Sequence, residues 1–390
     1  MKRLLALASV ASAAACGGDV VTTGARGGEA AGGASHANAA GGNAAVGNAH
    51  GGHATAGAAG TAGTLAGGGE GMNAQAGGPQ ASGFFRKRPG RPRSLSHAQG
   101  SLYWILGSDE QTATGPVEAT VATQDGEVRA VFPAEVPIDC FAVPPDDAHV
   151  WAVPAAPVGG IVRRDLTGAD PVGFQNDGVS ATELVVVPGY AYRVATGDRA
   201  DSWLERVGLV DGSVERVGES ENADAYVGGL ADDGAALYFS QEGYGSGSGI
   251  FRVPRGKVDA TYLGGNGAHR FSLAGEALVR VEVFGSTEPK PRVIDLLLKS
   301  GGDLKVLGAS PAATSAAAGV ALGGFYYLAF RPSETAPWGL ARLPLAGGES
   351  AVVSANLCGP NRWHPSLAAS ATTLFVACPG DGTVRSVDGL

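Results

Sequence analysis

The chain is poor in charge, methionine and cysteine, and each shortage closes off a class of protein. Charged residues make up only 17% of the 390, and acids outnumber bases by enough to give a formal net charge of −9. A general nucleic-acid binder needs a basic face to meet phosphate, so nucleic acid is not an expected partner. Beyond residue 16 no stretch reaches the roughly 18 apolar residues that a membrane-crossing helix needs. There is no Gly-rich phosphate loop, no serine nucleophile elbow and no Cys-x-x-Cys pair. With four cysteines and two methionines in all, neither a disulfide scaffold nor a Met-rich surface is expected. Glycine, by contrast, is abundant at 63 residues, and it is concentrated at the front.

That front reads as an address followed by a leash. Met1-Lys2-Arg3 is a short positive region and Leu4 to Ala11 an apolar one, too short to anchor a chain by itself. Ala13-Ala14-Ala15 then precede Cys16-Gly17, the layout of a cleaved secretory signal over residues 1–15. The small residues before Cys16 resemble the lipobox of bacterial lipoproteins, although Ala13 stands where Leu is usual. The resemblance implies a lipid on Cys16, and Gly17 after it implies sorting to the outer membrane, on a side the sequence does not give. A secreted, soluble form is the alternative. Residues 16–83 are nearly all Gly, Ala, Ser, Thr and Asn. So little large apolar surface cannot offset the entropy of ordering, and a disordered linker is expected. His36, His50 and His53 within it are read as solvated. The run Arg86-Lys87-Arg88-Pro89-Gly90-Arg91-Pro92-Arg93 is read as a solvated basic edge, with contact to anionic lipid headgroups as the sharper alternative.

From there the chain repeats, and residues 84–390 are taken as one domain. Hairpins recur, with Asp125-Gly126, Asp211-Gly212, Gly256 and Gly347-Gly348 at their bends, where glycine admits the positive φ of a tight turn. One position in the first strand of each hairpin can be anchored at Thr120, Arg163, Arg206, Arg252, Asp295, Arg342 and Arg385, giving spacings of 43, 43, 46, 43, 47 and 43. Upstream of each hairpin lies an aromatic strand such as Leu102-Tyr103-Trp104 or Leu237-Tyr238-Phe239; the fifth unit, with Leu278-Val279-Arg280, lacks the aromatic. Four strands per unit, seven times over, predict an all-β, seven-bladed β-propeller, with six or eight blades as alternatives. The pattern resembles the broad class of TolB-like, NHL-type and YWTD-type repeats, and that resemblance implies a fold but no active site. The last unit stops one strand short at Leu390, so residues near Phe84–Lys87 are expected to close the ring, with an open or capped edge as the alternative.

Candidate sites follow from the blade plan. Cys358, in the loop entering the seventh blade, and Cys378, after that blade's second strand, are read as a disulfide; Cys140 is read as a small buried residue. Asp139, Glu183, Asp224, His269 and His364 all fall near the starts of inner strands in different blades and could converge on the axis. Oxygen and imidazole ligands suit a divalent metal, and this set resembles the axial sites of gluconolactonase-like and streptogramin-lyase-like propellers. Trp203, Tyr244, Trp338 and Trp363 lie in or beside loops of the same end and are read as inter-blade core or loop packing, with stacking on a sugar or peptide as the sharper alternative. His97 and His149 fall on the opposite face and are read as solvated. With no catalytic motif, the leading expectation is a monomeric, lipid-tethered envelope protein that binds a protein or glycan and carries no cofactor. A metal-dependent hydrolase or lyase using the axial set, and a purely structural protein, are the alternatives.

Overall fold

The computed structural model describes strand 81–87 and residues 91–390, apart from the loop residues 108–113, 122–127, 133–134, 136, 146, 156–157, 166–171, 176–177, 198–201, 219–225, 243–247, 266–268, 283–287, 318, 362 and 388–389. Cys16, the three histidines of the linker, Asp224 and Tyr244 lie outside the described residues.

Seven antiparallel sheets follow one another along the chain, and within each the strands pair in meander order. This is an all-β, seven-bladed β-propeller. Blade 1 spans 91–132, blade 2 138–175, blade 3 180–216, blade 4 226–264, blade 5 269–309, blade 6 315–358 and blade 7 366–387. The first strands touch one another from blade 2 round to blade 1, which places them innermost, and the last strand of each blade is the outer edge. Ala81–Lys87 closes the ring by pairing antiparallel with Thr383–Val387 as the outermost strand of blade 7. Closure thus comes from the expected segment, and its strand starts at Ala81, inside the stretch read as linker.

Blades bury both faces, so their second strands read as apolar runs rather than as an alternation. Leu102, Tyr103, Trp104 and Ile105 are all 1% exposed or less. The two faces nonetheless go to different neighbours. Tyr103 and Ile105 join a cluster with Phe141, Val150 and Ala152 of blade 2, while Leu102 and Trp104 join Phe375 and Ala377 of blade 7.

The register corrects the anchored repeat. Arg163, Arg206, Arg252 and Arg342 each stand opposite an aromatic that faces the next blade: Trp151, Tyr192, Tyr238 and Tyr327. By the same test the equivalents in blades 1, 5 and 7 are Ala119, Leu296 and Ser386, paired with Tyr103, Val279 and Phe375. Thr120, Asp295 and Arg385 are each one residue out. A slip of one residue is small in spacing but moves a side chain to the other face of the sheet.

Cys358 and Cys378 are joined, with their Cα atoms 5.3 Å apart. Cys358 is the last residue of the outer strand of blade 6, Ala351–Cys358, so the bridge crosses from blade 6 to blade 7 rather than staying within blade 7. The reason is the length of that strand: its pairing with Trp338–Pro344 carries two register shifts, and the extra residues take it as far as Cys358. Cys140 is fully buried and takes no part in the bridge.

Candidate polar site at the propeller mouth

Because the strands alternate in direction, the first and third strands of every blade start at one end of the propeller, here called the mouth. Inner strands are irregular there. Register shifts interrupt the first strands of blades 1 to 4, between Arg93 and Ser96, Ile138 and Cys140, Ala181 and Glu183, and Gly228 and Ala231. In blade 6 the inner strand is split into Ser315–Ala316 and Val320–Leu322. Bulges of this kind re-aim side chains, and they do so for two of the expected axial residues.

Asp139 sits in the shift of blade 2. Burial pushes its carboxyl up to about 7, against a hydrogen bond with the Ser180 side chain of blade 3 that pulls it down. Glu183 reaches from blade 3 into the shifted segment of blade 4, where Oε1 accepts from the Gly229 amide at 2.7 Å and Oε2 from the Leu230 amide. Burial raises its pKa and those two amides oppose the rise. Tyr226 lies beside it, and its hydroxyl is held protonated by burial and by the nearby Glu183 and Glu242. The structure therefore brings Asp139 and Glu183 to the same end on adjacent blades, but both oxygens of Glu183 are spent on the next blade's backbone.

The rest of the axial set divides. His269 opens the inner strand of blade 5. His364 packs sideways, its ring 4.7 Å from that of Trp338 in blade 6. Among the described residues no group of three or more His, Cys, Asp and Glu is placed to hold a metal ion.

The aromatic rim is packed: Trp338 is 0% exposed and Trp363 is 8% exposed, with their rings covered by other side chains. Trp338 donates its indole N–H to the Asn361 carbonyl at 3.1 Å, and the Arg93 guanidinium covers Trp363 at 4.0 Å. Trp203 is half-buried; it donates to Glu205 Oε1 at 2.6 Å and lies under the Arg216 guanidinium at 4.7 Å. Packing covers all three rings, Trp338 and Trp363 from neighbouring segments and Trp203 from its own blade. At the opposite end, His97 stacks on Phe375 at 5.4 Å, and His149 Nδ1 sits 2.5 Å from Asp147 Oδ1. Both are half-buried rather than solvated.

Arginines also line the mouth; the sequence alone reads Arg93 otherwise and does not single out Arg292 or Arg331. Arg93 is buried and cannot be part of a solvated basic edge. Arg292 is 1% exposed and donates from Nη2 to the Thr314 carbonyl at 3.0 Å. Arg331, at the end of the second strand of blade 6, donates from Nη1 to the carbonyls of Asn361 at 2.7 Å and Glu334 at 3.3 Å. Its guanidinium lies over Trp338 at 5.0 Å. Burial lowers its pKa, with Glu334 acting the other way. A single arginine closing an otherwise apolar strand, Phe-Tyr-Tyr-Leu-Ala-Phe-Arg, was the only signal available.

No family model and no curated protein matches this chain by sequence. Solved structures match by shape. The WD40 β-propeller domain of Doa1 aligns with a TM-score of 0.55 at 12% identity, covering 80% of this chain and 98% of that one. A chain of the mitotic checkpoint complex aligns at 0.53 and 10% identity, covering 84% and 97%. Oligogalacturonate lyase from Vibrio parahaemolyticus aligns at 0.52 and 9% identity, covering 80% and 91%. Identities this low show the propeller fold and nothing finer.

Proposed function

We propose that the protein is a binding module of the cell envelope, held to the membrane by a lipid on Cys16 and presenting the propeller mouth to a protein partner. One observation carries this reading. The polar groups at the mouth are fixed from blade to blade, as Glu183 is on Gly229 and Leu230, which makes a rigid recognition surface rather than a set of free ligands or bases. The similarity to the Doa1 domain and to the checkpoint-complex chain is compatible with binding, and the lyase shows that the same fold also houses an enzyme. The test is photo-crosslinking in cells, with a benzophenone amino acid placed at Thr335 by the mouth or at Val210, a turn residue 96% exposed at the opposite end. A discrete adduct from Thr335 alone is expected. Adducts from both positions, or from neither, would overturn the reading. Tethering is tested separately: labelling with an alkyne fatty acid is expected for the native chain and not for Cys16→Ser.

A second reading, a metal-dependent hydrolase or lyase, is favoured by the Asp139 carboxyl near 7, a value suited to proton transfer at neutral pH. A divalent ion retained by the full chain after dialysis and lost in Asp139→Asn would establish that reading in place of the first.

A further inference from the structure

We infer that Arg331 is the anchor of a carboxylate site at the mouth and that the ligand is an acidic peptide segment of a partner. The inference rests on the binding reading above and gives that partner its chemistry.

A guanidinium has three edges, and the one formed by Nε and Nη2 is the side-on fork that grips a planar carboxylate with two parallel hydrogen bonds. In Arg331 the Nη1 side is occupied by the carbonyls of Asn361 and Glu334. The fork side is not. Among the described residues Nε, which is buried, has no hydrogen-bond partner, and Nη2 meets only the Ser315 hydroxyl at 3.5 Å, beyond the range of a good hydrogen bond. The residue is 8% exposed. A cation this buried, hydrogen-bonded among the described residues to neutral groups and offset in part by the charge of Glu334, is costly in a fold that could have placed an apolar residue there. Its ring stack on Trp338 and its carbonyl bonds hold the fork in one orientation beside a hydroxyl on the inner strand. That combination, a preset fork plus a hydroxyl, suits two coplanar oxygens.

The ring of neighbours explains why the site takes a peptide rather than a sugar. Sugar recognition draws on exposed aromatic faces, and among the described residues the rings nearest Arg331, Trp338 and Trp363, are covered by side chains.

The test is calorimetric titration of the full chain, purified in detergent, with an N-acetylated tetraglutamate peptide. Saturable binding is expected, with tetraglutamine failing to bind. Arg331→Lys keeps the charge and loses the fork, and affinity should fall about tenfold or more. Ser315→Ala leaves the buried cation in place and should weaken binding about threefold, so the idea stays testable if Arg331→Lys does not fold. No binding of tetraglutamate, or equal binding by both variants, would overturn the site. Tighter binding of trigalacturonate or inorganic phosphate than of tetraglutamate would overturn the peptide assignment. Crosslinking from Thr335 that persists while tetraglutamate fails to bind would leave the mouth as the binding end and remove only this inference.

Discussion

Blades 3 and 4 make a useful pair, because the same position is built in two ways. In blade 4 the second-strand residue facing the preceding blade is Phe239, stacked on Phe251 at 5.3 Å within an apolar cluster shared with blade 3. In blade 3 that position is Arg193, which faces blade 2 and is held by Glu205 through Nε at 2.9 Å and Nη2 at 2.7 Å. The contrast runs round the ring. Blade 5 has Arg280 bonded to Asp295 at 2.9 Å, and blade 1 has Trp104 donating to Glu118 at 2.8 Å. Blade 7 pairs Val376 with Arg385. Blades 2 and 6 have Ala152 opposite Val162 and Leu328 opposite Ala341. Odd blades thus carry a charged third-strand residue toward the blade before them, and even blades carry an apolar one.

A second set of contacts follows the same division. From blade 1 to blade 2, Gly115 and Ile138 exchange backbone hydrogen bonds, and from blade 5 to blade 6 Lys290 and Ala313 do the same. From blade 3 to blade 4 the Ser202 hydroxyl takes both roles, donating to the Val227 carbonyl and accepting from its amide. Gly115 is required at its bridge, since a Cβ there would strike the Leu106 carbonyl. Every seam holds an apolar cluster, and those from 1 to 2, 3 to 4 and 5 to 6 are tied at the mouth as well. The seams from 2 to 3 and from 4 to 5 hold buried ion pairs.

The contrast is broken hardest by removing half of a pair. Glu205→Leu leaves Arg193, 1% exposed, without its carboxylate, and should cost about 3–5 kcal/mol. Denaturant unfolding of the variant measures it, and a loss below about 1 kcal/mol would show the seam to be wetter than it looks. Next comes the seam between blades 6 and 7, where the charge of the odd blade is Arg385 and a disulfide spans a separation of 20 residues. Its reduction should cost about 3 kcal/mol, seen as a lower Tm in dithiothreitol that Cys358→Ser reproduces and reductant does not deepen. The seam between blades 2 and 3 also carries Asp139 on Ser180. A carboxyl at about 7 when folded and 3.8 when unfolded makes the folded state bind the extra proton between those values. Stability is then full below about pH 4 and declines as pH rises toward 7, by on the order of 2 kcal/mol for a group that water still reaches. Unfolding measured from pH 4 to 8 should show that slope in the native chain and a flatter one in Asp139→Asn.

The sequence alone was enough for the plan of the ring and too little for its seams. Blade number and closure were readable because hairpin bends and apolar runs recur at near-constant spacing, and a last unit without a fourth strand requires one from elsewhere. The facing of side chains was not. Asp295 and Arg252 share a place in a spacing alignment, yet one faces the preceding blade and the other the following one, because strand parity outweighs sequence offset. The mouth failed for a related reason. Trp338 and Trp363 are open to a packing or a ligand reading until the neighbouring side chains are placed, and Arg331 looks like a strand end until burial isolates its fork. Both properties come from contacts between units that one repeat does not contain.

The finest test asks what the ion pairs are for. Replacing both partners, Arg193→Met with Glu205→Leu, removes the desolvation cost along with the attraction, and stability should stay within about 1 kcal/mol of the native protein. If so, the pair contributes little net energy, and its effect must lie in which faces meet. An apolar pair at this position would make the forward and backward faces of blade 3 alike, both able to seat the flat cluster of a neighbour. A charged pair permits one arrangement, because any other buries Arg193 against apolar side chains. The Arg280 guanidinium shows the fit required, since it lies against Gly265, just past the last strand of blade 4, where a Cβ would collide. The double variant should therefore match the native protein in equilibrium unfolding and refold with a lower yield of monomer, read by size-exclusion chromatography after dilution from denaturant. An unchanged yield would mean that the alternation of polar and apolar seams has no part in choosing the order of the blades.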